Sequence, residues 1–116
     1  MRHRKKGRKL GRKIGHRKAL FKNLAKSLIL YEKIKTTEAK AKEIRGLVER
    51  IITIGKKNDL TSRRLIIKRL GDEVVAKKVL EDLSPKYKER NGGYLRIIKI
   101  ESRPGDRAKM ARIEFV

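Results

Sequence analysis

From Arg17 the apolar residues recur at helical spacing. Leu20, Phe21, Leu24, Leu28 and Tyr31 fall on one arc and Lys18, Lys22 and Lys26 opposite it, which predicts an amphipathic helix with a basic outer face. Across Tyr31 to Thr36 the pattern alternates, with Ile34 between Lys33 and Lys35, as in a short strand. Thr37 then reads as an N-cap, with Glu38 in the favourable first turn. Ala41, Ile44, Leu47, Val48, Ile51 and Ile52 share one face of the helix that follows, and Gly55 before Lys56-Lys57 reads as its stop. Leu60 to Leu70 predicts a third helix, capped by Asp59 or Thr61 and ended by Gly71. Leu65-Ile66-Ile67 alone would suit a strand, but length and flanks favour the helix. Asp72 caps a fourth, stacking Val75, Val79 and Leu83 beside Ala76 and Leu80; it ends near Ser84-Pro85, where Pro85 opens a further turn through Lys88.

After Asn91-Gly92-Gly93 the period becomes two, over Tyr94–Ile100 and again over Ala108–Val116. Ser102–Arg107 between them carries turn chemistry, so the two strands predict an antiparallel hairpin. Leu95, Ile97, Ala111, Ile113 and Phe115 would face the helices. The order is helix, strand, three helices, two strands. That is an α+β fold of two layers, with a three-stranded sheet packed on helices and a basic extended N-terminal arm.

Charge adds the arm and a class of partner. The 116 residues carry 35 Lys and Arg against 13 Asp and Glu, a formal charge of +22. Twelve of the basic residues precede the first carboxylate, Glu32. Residues 1–15 offer only Met1, Leu10 and Ile14 for burial, and Gly7, Gly11 and Gly15 loosen the backbone. Such a segment does not offset its own ordering entropy, so it reads as an arm that orders on binding, beside a single domain over 16–116. Fully extended, it would reach about 50 Å. So large a positive excess on so small a body points to a polyanion, with nucleic acid foremost.

Composition removes most competing chemistry. With no cysteine there are no disulfides, Cys-based zinc ribbons, Fe–S clusters or thiol nucleophiles. No apolar run is long enough to span a bilayer and no secretory signal is visible, so a cytosolic location is expected. His3 and His16 both lie in the basic N-terminal region, with no acid before Glu32 to orient them. The adjacent acids Asp72-Glu73 and Glu81-Asp82 are better explained by capping and solvation than by catalysis. Aromatics make up 4%, namely Phe21, Tyr31, Tyr87, Tyr94 and Phe115, most of them on core faces. This argues against a base-stacking platform and for phosphate and shape recognition by Lys and Arg. An architectural DNA binder is the competing reading, but no dimerising heptad, zinc finger or recognition helix is present to support it.

Six segments in order carry a resemblance. Met1-Arg2-His3-Arg4 opens the chain, and Leu10-Gly11-Arg12, His16-Arg17-Lys18-Ala19-Leu20 and Asn23-Leu24-Ala25 continue an N-terminal signature. Glu32-Lys33-Ile34-Lys35-Thr36-Thr37 with Ala39-Lys40-Ala41-Lys42-Glu43, then Arg63-Arg64-Leu65, then Arg90-Asn91-Gly92-Gly93-Tyr94-Leu95-Arg96-Ile97 follow. Arg103-Pro104-Gly105-Asp106-Arg107-Ala108-Lys109-Met110-Ala111-Arg112-Ile113-Glu114 completes the series. Together they resemble the family of the seventeenth protein of the bacterial large ribosomal subunit; Phe21-Lys22 and Asn91 depart from its pattern.

The resemblance implies a non-enzymatic, ribosome-bound cytoplasmic protein that binds large-subunit ribosomal RNA beside neighbouring large-subunit proteins, near the exit side of the subunit. It also implies a two-layer α/β fold, and that Arg2, His3, Arg4, Arg12, His16, Arg17 and Lys18 thread into RNA. Thr36, Thr37, Lys40 and Lys42 match the internal motif, where the lysines are the better contacts because Thr37 is already explained as a cap. With the charge reading, the candidate RNA contacts are Arg2, His3, Arg4, Lys5, Lys6, Arg8, Lys9, Arg12, Lys13, His16, Arg17, Lys18, Lys22, Lys35, Lys40, Lys42, Arg96 and Arg103. No catalytic residue, metal ligand, cofactor, membrane or small-molecule substrate is expected.

Overall fold

A computed structural model describes residues 14–116. The arm expected over 1–15 therefore lies, apart from Ile14 and Gly15, outside the described residues. The first helix, α1, spans Ile14–Tyr31 and starts three residues before the apolar period becomes visible. Its core stripe is Ala25, Leu28 and Ile29, flanked by half-buried Phe21 and Leu24. Tyr31 does not belong to that stripe and is 72% exposed, because it sits on the trailing flank at the point where the helix ends. There the backbone turns sharply at Glu32, whose φ of 65° is left-handed. Such a conformation costs a non-glycine residue about 1–2 kcal/mol. Two backbone hydrogen bonds hold it: Glu32 N donates to Leu28 O at 2.7 Å, and Glu32 O accepts from Phe115 N at 3.1 Å.

Strand β1 (Lys33–Thr37) leads directly into α2 (Glu38–Gly55). Thr37 is the N-cap, its hydroxyl accepting from Lys40 N at 3.4 Å. Ala41, Ile44, Val48, Ile51 and Ile52 are fully buried along one side of α2, and Leu47 is half-buried at the edge of that stripe. Gly55 is not the left-handed stop that its position before two lysines suggests. It is the last helical residue, and its lack of a side chain serves packing. A Cβ there would meet Ser84 Oγ at 2.4 Å and Val79 Cγ1 at 3.1 Å. The left-handed residue of this connection is Asn58, φ 49°.

Helix α3 (Leu60–Leu70) is capped by Asp59, which accepts from Ser62 N at 2.7 Å, and ends at Gly71 with φ 69°. Helix α4 (Glu73–Lys78) begins at Asp72, whose carboxylate accepts from Val74 N and Val75 N. It runs on through a π-helical turn (Val79–Leu83) and an α-turn (Ser84–Lys86). Val75, Ala76, Val79, Leu80 and Leu83 are buried, and Ser84 reaches across to donate to Ile52 O at 3.0 Å. This hydrogen bond occupies the space that Gly55 leaves open.

Strands β2 (Leu95–Ile100) and β3 (Met110–Phe115) form the expected hairpin, and the sheet order is β1-β3-β2, antiparallel throughout. Ile34, Ile113 and Ile97 stand in one row of the register, Thr36, Ala111 and Lys99 in the next. The apolar members of these rows, with Leu95 and Phe115, meet α2 and complete the core. Tyr87 packs on both Tyr94 and Phe115, with ring centroids 5.3 and 6.0 Å away. Its hydroxyl donates to Val116 O at 2.7 Å. The architecture is α+β in two layers: among the described residues, helices lie on one face of the sheet and none on the other.

Candidate nucleic-acid interface

Three groups of cations stand out from the core described above. The first is the start of α1. His16, Lys18 and Lys22 are exposed and Arg17 is half-buried. No acidic residue occupies the first turn, so the positive end of the helix dipole is left unneutralised beside the basic residues that precede it. Of the expected contacts, Arg2, His3, Arg4, Lys5, Lys6, Arg8, Lys9, Arg12 and Lys13 lie outside the described residues.

The second group is the helix-free face of the sheet, where Lys35 and Arg96 come together. Sequence reasoning missed two partners there, Lys33 and Arg112, which the β1–β3–β2 register places on the same face. The signal was available in the alternation of Arg112 with buried Ala111 and Ile113. Arg96 and Arg112 each approach Glu114 Oε1 at 3.4 Å. The third group, Arg63, Arg64, Lys68 and Arg69, is exposed on α3, and sequence reasoning noted Arg63-Arg64 only as part of a motif.

The remaining expected contacts are partly engaged within the protein. Lys42 pairs with Glu38 at 3.0 Å, and Lys99 approaches the same carboxylate at 3.8 Å. The hydrogen bond from Lys42 is the main cause holding the Glu38 carboxyl below its ordinary range, with the charges of Lys42, Lys99 and Lys109 adding to it. Lys40 is half-buried in the first turn of α2. Arg103 lies in the β2–β3 loop and is clamped by Asp106, Nη2 to Oδ2 at 2.6 Å and Nε to Oδ1 at 3.1 Å. That clamp, helped by the Ala108 N–H, lowers the Asp106 carboxyl to about 2. Arg103 thus has a structural duty in shaping its loop.

Among the described residues no group of three or more His, Cys, Asp or Glu is placed to hold a metal, and no helix is long and apolar enough to cross a membrane. Tyr31 is the one exposed aromatic among them, which does not make a stacking platform. An open depression of about 470 Å³ lies between α2, α3 and the turn before β2, lined by residues including Arg50, Arg69, Gly92 and Gly93. Its polar residues Glu49, Thr53 and Tyr94 are hydrogen-bonded within the fold.

Comparison with known proteins agrees with the cationic surface. Residues 20–116 match the family model described as ribosomal protein L17. The chain is similar to the large ribosomal subunit protein bL17 of Mesorhizobium japonicum, 52% identical over 116 residues that cover 100% of this chain and 81% of that one. It is 53% identical to the proteins of the same name from Allorhizobium ampelinum and Pelobacter propionicus, again over 100% of this chain and 82% and 91% of theirs.

Proposed function

Because the chain belongs to the ribosomal protein L17 family, we propose that it is a structural constituent of the large ribosomal subunit that binds and stabilises folded large-subunit ribosomal RNA through phosphate and shape contacts. Similarity along the whole chain carries this reading, and the charge distribution supports it. Residues 1–15 act as a basic arm, and residues 16–116 as one RNA-binding domain. The arm and the start of α1 neutralise phosphates in tightly folded RNA, and Arg contributes planar forks that suit junctions between backbones. Neighbouring large-subunit proteins share the site, and the protein works on cytoplasmic ribosomes without catalysing a reaction. With Tyr87, Tyr94 and Phe115 buried, the lone exposed aromatic among the described residues, Tyr31, leaves base stacking little part in this mode.

Sucrose-gradient fractionation of lysate at low and high salt, with the chain followed by mass spectrometry, tests the proposal. Co-sedimentation with the large subunit at both salt concentrations is the expected result. Release at moderate salt into a soluble or nucleoid fraction would overturn it and favour a DNA-binding role resting on charge alone.

A further inference from the structure

The helix-free face of the sheet differs from the rest of the surface in how its charges are arranged. In register, Lys33, Glu114 and Arg96 form one row across the three strands, and Lys35, Arg112 and Ile98 the next. The four cations are exposed, whereas the Glu114 side chain is only 15% exposed. Both guanidiniums converge on its Oε1, at 3.4 Å each. One half-buried carboxylate oxygen therefore faces two arginines, in ion-pair contact without a hydrogen bond, and cancels a single charge. Lys33 and Lys35 form no ion pair with any described residue. The patch carries three net positive charges. Its rows repeat at roughly 6.6 Å along a strand and its columns at roughly 4.8 Å between strands.

We propose that this face is a second RNA contact, distinct from the arm and α1, which seats on the phosphate backbone of a duplex segment. The inference rests on the RNA-binding reading above and extends it to a named surface. Charge complementarity selects the occupant. A set of exposed cations spaced regularly along and across the strands suits the regularly spaced phosphates of a helix. Single-stranded RNA is read from sheet faces by aromatic stacking, and the uncharged side chains here are Ile98, Ile100, Met110 and Thr37. The face also lies on the opposite side of the sheet from the helices, so RNA bound there does not compete with RNA held along α1. Two such contacts would let the domain bridge separate RNA segments, which a single basic arm does not do.

The test is a filter-binding titration of the full chain against protein-free large-subunit ribosomal RNA over a series of KCl concentrations. The variant is Lys33→Gln/Lys35→Gln, with Lys5→Gln/Lys6→Gln as the arm control and a thermal melt to verify folding. Removing one lysine from a duplex phosphate makes the slope of log K against log salt shallower by about 0.9, so the double variant is expected to flatten it by about 1.8. That change with an unchanged melt supports the proposal. An unchanged slope in the sheet variant, with a shallower one in the arm control, overturns this contact and leaves the RNA-binding reading intact. Failure of the unsubstituted chain to bind ribosomal RNA more tightly than duplex DNA overturns that reading itself. An equal flattening against unstructured poly(U) overturns the duplex assignment. Should the double variant melt lower, Arg112→Gln tests the same face, with a flattening of about 0.9 expected and Arg96 still beside Glu114.

Discussion

The two faces of the sheet come from the same three strands, yet they answer to different physics. On the covered face Ile34, Ile113 and Ile97 lie side by side against the helices, with Ile113 fully buried. On the other, one residue along each strand, Lys33, Lys35, Arg96 and Arg112 stand in solvent around Glu114. The covered face contributes apolar area removed from water, at about 25 cal/mol per Å². The open face contributes little to stability, since exposed ion pairs have a median worth of about 0–1 kcal/mol. A period of two thus keeps the core and the cationic surface on separate residues of the same strands, and substitutions on the open face should leave folding unaffected.

The largest contrast to test is Ile113→Ala, expected to lose about 2–5 kcal/mol of unfolding free energy and to lower the urea midpoint accordingly. Gly55→Ala probes how closely the covered side is built. Its new methyl would press on Ser84 Oγ, and a loss of about 1–3 kcal/mol is expected in the same assay. Thr37 stands at the boundary, on the open face by register but with its hydroxyl capping α2. Thr37→Ala should cost about 1 kcal/mol, read as a lower thermal midpoint with helix signal lost at α2. Lys35→Ala is expected to stay within about 0.5 kcal/mol of the parent. A loss comparable with that of Ile113→Ala would erase the distinction between the faces.

The smallest effect is local and depends on pH. The Asp106 carboxyl is lowered from 3.8 to about 2 by Arg103 and the Ala108 N–H, so the loop clamp is complete above about pH 4 and is lost as pH falls through about 2. The Ala108 amide resonance, followed by NMR through an acid titration, should move in that window. Movement instead between pH 6 and 8 would show that another group shapes the loop.

Much of the fold was legible because the relevant signals are local. Asp59, Asp72 and Thr37 cap where their side-chain chemistry says they should, Gly71 ends α3, and the alternation in both hairpin strands gives the inward faces. Tyr31 and Gly55 misled for one shared reason. A helical wheel reports direction from the axis but not which neighbour fills that direction, so it did not show that Tyr31 has no cover or that Ser84 approaches Gly55. The central place of β3 is a long-range pairing with no local signature. The cationic surface was legible as a charge class, but how each basic residue is engaged was not. Lys42 and Arg103 are as basic in sequence as Lys33 and Lys35, and only the folded positions of Glu38 and Asp106 tell them apart.

The placement of β3 between β1 and β2 bears on the order in which the chain emerges during synthesis. Lys33 and Lys35 are translated long before Arg96, and none of the three shares a plane until Met110–Phe115 slots between the outer strands. A nascent chain stopped short of residue 110 therefore exposes Ile34, Leu95 and Ile97 with nothing to pair them, and it also lacks the assembled grid of charge on the far side. Completion of the core and assembly of that grid are the same event. A truncated product thereby lacks both the central strand of its core and the assembled cationic face.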